Sequence, residues 1–278
     1  MNAVAAAAGT APDAAFLDAA LEVARRAAAA AAQVIDGYYR GNFRAELKPD
    51  ASPVTQADIE AEQAIRAVLR EAFPDHAIHG EEQGRDGDGD FLWLVDPLDG
   101  TKSFVRRNPV FSTQIALMHR GELLLGVSCA SQFGQTAWAR RDGGAFIEDA
   151  QGAVMRLHVA PTAAIADAVV STGNLTSLAQ GPRWDALGQL LIAANRGRGY
   201  GDFLHYHLLA QGSVDVVIES DVNILDIAAL AVIVREAGGV FTDLDGAPPD
   251  LDTGSVLAAV PALHAPVLER FSGWRDER

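Results

Sequence analysis

The chain has 278 residues, of which 49% are hydrophobic, and a formal net charge of −15. This length fits one large domain or two closely associated ones, and the apolar content is sufficient for a substantial core. The single cysteine, Cys129, excludes an internal disulfide and a cysteine-rich zinc site. The acidic balance disfavours nucleic acid and anionic membranes as partners. We find no membrane-spanning run or secretory signal and expect a soluble cytoplasmic protein.

The first half of the chain is predicted to form helices followed by antiparallel strands. Residues 16–40 read as an Ala-rich helix, residues 48–55 as a turn-rich loop, and a second amphipathic helix begins near Asp58. The apolar run over residues 91–95 predicts a buried strand that ends at Asp96. Two hairpins follow, with strands predicted over residues 112–118, 123–130, 136–140 and 145–148.

The second half alternates between strands and helices. Such alternation indicates helices packed on a second sheet. We therefore expect an N-terminal helix and antiparallel-sheet unit over residues 14–155 and a smaller α/β unit over residues 156–278. The predicted strands cover residues 168–172, 214–219 and 240–242, and the predicted helices cover residues 184–194, 204–211 and 227–237.

Carboxylates cluster at three places where this pattern breaks. Glu81 and Glu82 follow a glycine, Asp96 and Asp99 flank a Pro-Leu pair after the buried strand, and Asp226 precedes a predicted helix. Oxygen donors without cysteine or clustered histidine favour hard cations, and Mg²⁺ over zinc. Two such ions can clamp the attacking and leaving oxygens in a displacement at phosphorus. Each cluster also has a simpler interpretation: a turn, a helix N-cap at Asp226, or a solvated loop at 81–82.

Taken together, these segments resemble the inositol monophosphatase superfamily, the lithium-sensitive magnesium phosphatases. The resemblance runs from about Phe16 to Asp245. It implies an α+β fold, a layered αβαβα sandwich, with the metals at the junction of the two units. One departure is Leu225, where many members have Trp. The motifs are Val54-Thr-Gln-Ala-Asp58, Gly80-Glu-Glu82, Trp93-Leu-Val-Asp-Pro-Leu-Asp-Gly-Thr101, and Leu225-Asp-Ile-Ala-Ala-Leu230 followed by Glu236-Ala-Gly-Gly239.

The resemblance implies a role for each matching position. Thr101, hydrogen-bonded to Asp58, would help activate the water that attacks phosphorus, and Glu81 would belong to the same catalytic group. Two to three Mg²⁺ ions are implied, with Mn²⁺ as a substitute and Li⁺ or Ca²⁺ as inhibitors. Lys48 would lie in a mobile loop that completes one metal site. The implied metal ligands are Glu81, Asp96, the Leu98 carbonyl, Asp99 and Asp226, and the implied phosphate contacts are Asp99, Gly100 and Thr101.

The substrate preference is predicted from the segment Arg198-Gly-Tyr-Gly-Asp-Phe-Leu-His-Tyr206. Together with Thr101-Lys-Ser-Phe-Val105 and Lys48-Pro-Asp-Ala-Ser-Pro-Val-Thr55, it resembles the histidinol-phosphate phosphatase branch. The ammonium and imidazole groups of that substrate could both pair with Asp202, and Glu219 could bind the same amine. Asp202 fits equally well as the N-cap of the following helix. His205 and His207 do not share a helix face, so packing or surface roles are favoured over a metal pair.

We therefore expect a phosphomonoesterase that converts L-histidinol phosphate to L-histidinol in histidine synthesis, acting as a homodimer. An inositol-1-phosphate or broad sugar-phosphate phosphatase is the first alternative. Hydrolysis of 3′-phosphoadenosine 5′-phosphate is the second, and it would require an adenine pocket that the sequence does not identify. A binding protein that keeps the fold without catalysis is disfavoured, because every implied metal ligand is present.

Overall fold

The structure is a computed structural model that describes residues 12–41, 45–47 and 53–271. Its first helices, α1 (Ala14–Arg40) and α2 (Gln56–Ala72), are joined through a short hairpin of β1 (Ala45–Leu47) and β2 (Pro53–Thr55). Both helices confirm the sequence prediction. The buried stripe of α1 is rich in alanine, which allows α2 to pack closely against it. Lys48 lies outside the described residues.

The first sheet covers the middle of the chain. Its strands are β3 (Ala77–Gly80), β4 (Gly84–Asp86), β5 (Phe91–Asp99), β6 (Ser112–His119), β7 (Glu122–Ala130), β8 (Gln135–Arg140), β9 (Gly144–Glu148) and β10 (Val154–Arg156). They lie in the order β10-β9-β8-β7-β6-β5-β3-β4. Every pairing is antiparallel except that of β3 with β5, which is parallel.

The second sheet is mixed. Its strands are β11 (Val169–Thr172), β12 (Arg196–Arg198), β13 (Val216–Ser220), β14 (Val240–Thr242) and β15 (Ser255–Ala259). β11 runs parallel to both β12 and β13, whereas β15 lies antiparallel between β13 and β14. The remaining helices are α3 (Thr101–Val105), α4 (Leu175–Gln180), α5 (Trp184–Ala193), α6 (Asp202–Ala210), α7 (Ile224–Glu236) and α8 (Pro261–Phe271).

Layers of helix and sheet alternate through the molecule. α1 and α2 cover one face of the first sheet, and α7 packs on its other face, beside α6. From Ile224 to Val234 every residue of α7 except Asp226 is buried, as expected for a helix enclosed on all sides. α4, α5 and α8 lie with the second sheet. This arrangement confirms the predicted α+β sandwich of αβαβα layers.

Some boundaries differ from the sequence prediction. The strand expected to end at Asp96 continues to Asp99, and the helix expected from residue 227 begins at Ile224. β3, β15 and α8 were not predicted, because their apolar runs are short or made of small residues. The division into units at residues 155 and 156 stays a prediction, and one hydrophobic cluster contains residues from both units. Among the described residues, no helix is long and apolar enough to cross a membrane.

Candidate metal and active site

The end of β5 carries two of the predicted metal ligands. In a regular strand, Asp96 and Asp99 would point to opposite faces because they are three residues apart. The pairing of β5 with β6 shifts between these two residues, and both carboxylates then reach the same cluster. Asp96 Oδ1 accepts a hydrogen bond of 2.9 Å from the backbone N–H of Leu98. Thr113 Oγ1 donates to the carbonyl of Pro97 over 2.8 Å and holds the irregular segment in place.

Gly100 allows the turn between β5 and α3. Its φ is +91°, in the left-handed region. A Cβ at this position would lie 2.8 Å from the carbonyl oxygen of Val110 and 3.1 Å from Cα of Phe111. Glycine is therefore required twice, for its conformation and for its small size. The turn brings Thr101 to the first position of α3, beside Asp99.

Asp226 reaches the cluster from α7. Asn223 is the N-cap of this helix, and its side chain accepts a hydrogen bond of 2.7 Å from the backbone N–H of Leu225. Asp226 Oδ2 accepts one of 3.0 Å from the backbone N–H of Asn223, which completes a capping box. The interpretation of Asp226 as the N-cap itself is therefore wrong. Its carboxylate supports the start of the helix and also joins the cluster.

Three carboxylates meet at this point. Asp96, Asp99 and Asp226 each offer one oxygen, and these atoms lie within 4.8 Å of one another. The Glu81 side chain is hydrogen-bonded to Asp96. Burial and then the neighbouring carboxylates raise the pKa of Asp96 and Asp99 well above the usual range. Burial is also the main reason why the pKa of Asp226 is raised to about 6.

This donor set fits a hard divalent cation. All the donors are carboxylate or carbonyl oxygens, and their mutual repulsion in a buried site would be relieved by positive charge. The Leu98 carbonyl oxygen, predicted as a fifth ligand, lies 3.0 Å from Thr101 Oγ1, and it keeps both lone pairs when that hydroxyl donates to Asp58. The structure therefore brings together the predicted ligands Glu81, Asp96, Asp99 and Asp226, with Leu98 next to them.

Thr101 and Asp58 form a second part of the site. Thr101 Oγ1 lies 3.0 Å from Asp58 Oδ1, so the predicted pairing is present. Asp58 is fully buried, and its other oxygen accepts from the backbone N–H and the hydroxyl of Thr55 over 2.8 and 2.6 Å. Burial raises the pKa of Asp58, while the hydrogen bonds from Thr55 and Thr101 partly oppose this effect.

A pocket adjoins the carboxylate cluster. Asp202 and Glu219, the predicted substrate contacts, both line it. Burial and then the charge of Glu219 raise the pKa of Asp202 to about 6, with His205 and Lys102 opposing the shift. The residues that line the pocket are Asp99, Asn174, Asp202, Tyr206, Glu219, Val222, Asp226, Ile227 and Leu230.

Hydrogen bonds and close packing hold the Glu219 side chain in one orientation. Its Oε2 accepts a hydrogen bond of 2.7 Å from the Tyr206 hydroxyl and lies 3.0 Å from His205 Nε2. Its Oε1 packs over Gly173, where a Cβ would be only 1.9 Å away. His205 is therefore a packed, hydrogen-bonded residue, as the sequence favoured. His207 is buried as well, and its Nε2 lies 2.9 Å from the Ser128 hydroxyl.

Asp202 is not an N-cap. Helix α6 begins at Asp202 itself, and Gly201 precedes it as the N-cap residue without a side-chain hydrogen bond. Asp202 has a φ of +46°, which is uncommon for a residue with a side chain. Such conformations are often found at binding sites, where the surrounding structure enforces them. The N-cap interpretation is therefore replaced by a position on the pocket wall.

Several residues near the site were not identified from the sequence. Asn174 lines the pocket and donates a hydrogen bond of 2.8 Å to the carbonyl of Ser220. Lys102, which follows Thr101, is near enough to lower the pKa of Asp202. The sequence could have indicated Asn174 as a site residue, because it lies just beyond the carboxyl end of a parallel strand, where α/β sheets bind ligands.

The fold and the site define a class of protein in which a carboxylate cluster between helical and sheet layers could hold metal ions. The chain belongs to the inositol monophosphatase family, whose profile matches residues 17–273. It is therefore a phosphatase of a metal-dependent family.

The chain is similar to histidinol-phosphatases and to inositol monophosphatases. Histidinol-phosphatase of Streptomyces coelicolor is 39% identical over 86% of this chain and 91% of its own length. Histidinol-phosphatase of Mycobacterium tuberculosis is 40% identical over 83% and 89%. Inositol-1-monophosphatase of Rhizobium meliloti is 35% identical over 78% and 81%. An inositol monophosphatase structure from Zymomonas mobilis superposes with a TM-score of 0.81 at 30% identity, covering 94% of this chain and 99% of that one.

Proposed function

We propose that this phosphatase hydrolyses L-histidinol phosphate to L-histidinol and phosphate. The observation that carries the proposal is the pair of pocket carboxylates, Asp202 and Glu219, beside the carboxylate cluster. Two acidic groups in one pocket favour a substrate that carries positive charge, and histidinol phosphate has an ammonium and an imidazole. The similarity to histidinol-phosphatases supports the same substrate.

Mg²⁺ is the ion that the donor set favours, and the family resemblance implies two to three such ions. Its ligands would be Glu81, Asp96, Asp99, Asp226 and the Leu98 carbonyl. When bound, Mg²⁺ would act as a Lewis acid toward the phosphoryl oxygens and lower the pKa of a coordinated water. The proposal includes Mn²⁺ as a substitute ion and Li⁺ or Ca²⁺ as inhibitors. It also includes Lys48 as a residue of a loop that completes one metal site.

The role of Thr101 and Asp58 follows from their hydrogen bond. When the Thr101 hydroxyl donates to Asp58, its oxygen lone pairs are directed away from that carboxylate and can accept a proton from the attacking water. Thr101 then passes its own proton to Asp58, whose raised pKa favours this transfer. The water oxygen forms a bond to phosphorus, the ester P–O bond breaks, and the leaving alkoxide takes a proton from solvent.

Asp202 and Glu219 would select the leaving group. The Tyr206 hydroxyl and His205 hold one oxygen of Glu219, so its other oxygen stays in a fixed position by the pocket wall. A cationic amine between the two carboxylates would stabilise both ionised forms. It would also offset the repulsion from Glu219, which adds to the effect of burial in raising the pKa of Asp202. A neutral polyol would form hydrogen bonds to the same groups without this gain in charge pairing.

The test is phosphate release with Mg²⁺, comparing kcat/KM for L-histidinol phosphate, inositol-1-phosphate and 3′-phosphoadenosine 5′-phosphate. We expect histidinol phosphate to be preferred by at least about tenfold, or about 1.4 kcal/mol in transition-state binding. Glu219→Gln should remove most of that preference. Equal or better hydrolysis of inositol-1-phosphate by the unaltered enzyme would contradict the substrate assignment.

Inositol-1-phosphate is the second candidate, because the pocket carboxylates also accept hydrogen bonds from hydroxyl groups and a named inositol-1-monophosphatase is a relative. A homodimer, a cytoplasmic location and a role in histidine synthesis are further proposals from the sequence. Gel filtration with light scattering would test the first of these directly.

A further inference from the structure

Glu62 is a fully buried carboxylate outside the set of residues considered so far. It lies on the inner face of α2, one turn after Asp58, and its side chain has an exposure of 0%. Its Oε2 accepts a hydrogen bond of 2.7 Å from the backbone N–H of Glu82, and its Oε1 accepts one of 3.2 Å from that of Gln83. A buried carboxylate is costly unless it is fully hydrogen-bonded, so its retention calls for a reason.

Gly80 lets this carboxylate reach the backbone. A Cβ on residue 80 would lie 2.2 Å from Glu62 Oε1 and 2.7 Å from Oε2. The φ of Gly80 is not in the left-handed region, so conformation does not explain the glycine. Position 80 requires glycine because the backbone there is in close contact with the Glu62 carboxylate.

The turn that Glu62 holds carries Glu81. The backbone N–H of Glu81 donates a hydrogen bond of 3.1 Å to the carbonyl of Val95, the residue before Asp96. Glu81 is therefore attached on one side to β5, and the next two N–H groups are attached to α2. Its side chain extends from this clamped turn to Asp96.

Arg66 completes the arrangement. Its Nε donates to Glu62 Oε1 over 2.7 Å, and its Nη2 donates to the carbonyl of Gly84 over 2.6 Å. Arg66 neutralises Glu62 and holds the far end of the same turn. Helix α2 thus supports both parts of the site: Asp58 orients Thr101, and one helical turn later Glu62 holds the turn of Glu81.

We propose that Glu62 is a positioning residue for the metal site, and that it acts by fixing the turn over residues 81–83 so that Glu81 faces Asp96 and Asp226. This inference rests on the proposed role of Glu81 as a metal ligand. Partners of metal ligands that orient them typically contribute about 10- to 100-fold to metal affinity.

The first experiment compares Glu62→Gln with Glu71→Gln, a matched change at an exposed position of the same helix. In the Gln variant, one amide N–H must face the donors of Glu82, Gln83 or Arg66, so part of the clamp is lost. We expect Mn²⁺ and Mg²⁺ dissociation constants, measured by calorimetry, to rise about tenfold in Glu62→Gln and to stay unchanged in Glu71→Gln. In the metal-free protein, hydrogen exchange at the amides of residues 82 and 83 should become faster.

Glu81→Gln separates the inference from the assumption on which it rests. If Glu81→Gln leaves metal affinity unchanged, the ligand assignment of Glu81 fails. If Glu81→Gln weakens metal binding and Glu62→Gln does not, the ligand assignment stands and the positioning role of Glu62 is overturned. A lower melting temperature for Glu62→Gln with an unchanged dissociation constant would likewise overturn it, because Glu62 would then contribute to stability alone.

A second experiment uses the contact with Gly80. Gly80→Ala should weaken metal binding in the wild-type background, because the new methyl group displaces the Glu62 carboxylate. In a Glu62→Ala background the space is vacant, so the same change should have little further effect. Such non-additivity would support the clamp. Additive effects of the two changes on the metal dissociation constant would contradict it.

Discussion

Asp96 occupies the most enclosed position of the carboxylate cluster. It is 2% exposed, and its side chain connects Glu81 to Asp226. Its environment disfavours ionisation, since burial and then three nearby carboxylates all raise its pKa. A residue in this position destabilises the protein without metal and becomes favourable when metal is bound.

Asp96→Asn should therefore separate activity from stability. We expect turnover to fall by two or more orders of magnitude, because a proposed metal ligand is lost. The metal-free variant should melt at the same temperature as the wild type or above it, because one buried negative charge is removed. Phosphate release and thermal unfolding in chelator would measure the two effects. Near-normal turnover with Mg²⁺ would contradict the two-metal assignment.

Asp202 provides a pH-dependent test at a position outside the metal ligands. Its folded pKa of about 6 is above its ordinary value of 3.8, so the ionised form destabilises the folded protein. This destabilisation is absent below about pH 3.8, grows as the pH rises from about 3.8 to about 6, and stays constant above about pH 6. We expect metal-free Asp202→Asn to match the wild type in melting temperature near about pH 4 and to exceed it near about pH 7.5.

The comparison of the two proteins at each pH cancels the contribution of other groups, such as His76 and His207, whose pKa values burial lowers to about 4. Asparagine is also the replacement that best tolerates the left-handed φ of residue 202. A difference in melting temperature that does not change with pH would show that Asp202 is not titrating in this range.

At the scale of elements, the first turn of α7 links the stability of that helix to the carboxylate cluster. Asn223 caps the helix through its side-chain oxygen, and its Nδ2 donates a hydrogen bond of 2.9 Å to Asp226 Oδ1. The same residue therefore starts the helix and orients a predicted metal ligand.

Two substitutions of Asn223 should separate these roles. Asn223→Ala removes the cap and should lower the free energy of unfolding by about 1 kcal/mol. Asn223→Ser keeps a capping oxygen but loses the amide donor, so stability should be nearly retained. We expect both variants to bind metal more weakly, as measured by calorimetry. Unchanged metal binding in both would mean that the cap does not orient Asp226.

At the scale of the whole molecule, the site joins distant parts of the chain. Asp96 and Asp99 come from the first sheet, Asp226 from the helix between the sheets, and Asp202 and Glu219 from elements of the second half. An ion held by the first three would link β5 to α7 directly. Metal binding should then stabilise the entire fold, because these ligands come together only in the native state.

Mg²⁺ should accordingly raise the melting temperature in a concentration-dependent way. A concentration of about 100 times the dissociation constant corresponds to about 2.7 kcal/mol of added stability. Chelator should reverse the effect, and Asp226→Asn should greatly reduce it. Thermal unfolding at a series of Mg²⁺ concentrations is the measurement. A melting temperature that does not respond to Mg²⁺ at concentrations that support activity would argue against ligands from both β5 and α7.

Much of this protein follows from local features of the sequence. The helical periodicity of α1 and α2 and the apolar strands of the first sheet are encoded by short-range patterns, and the structure confirms them. The order of carboxylate motifs along the chain was sufficient to predict the phosphatase family. The type of each ligand and its place in the chain can be read from the sequence without knowing which residues are in contact. The pairing of Thr101 with Asp58 was available only through the family resemblance.

Long-range contacts decided the rest. The shift between β5 and β6, which turns Asp96 and Asp99 to one side, depends on strand pairing that no local pattern contains. The positive φ of Asp202 likewise arises from packing. So do the hydrogen bonds that Tyr206 and His205 form with Glu219. No local sequence pattern distinguishes Glu62 from the other charged residues of α2, and its contact with Gly80 arises only in the fold. Sequence alone therefore determined which oxygen donors the site has, whereas tertiary structure determined where each points, because orientation is set by contacts between residues far apart in the chain.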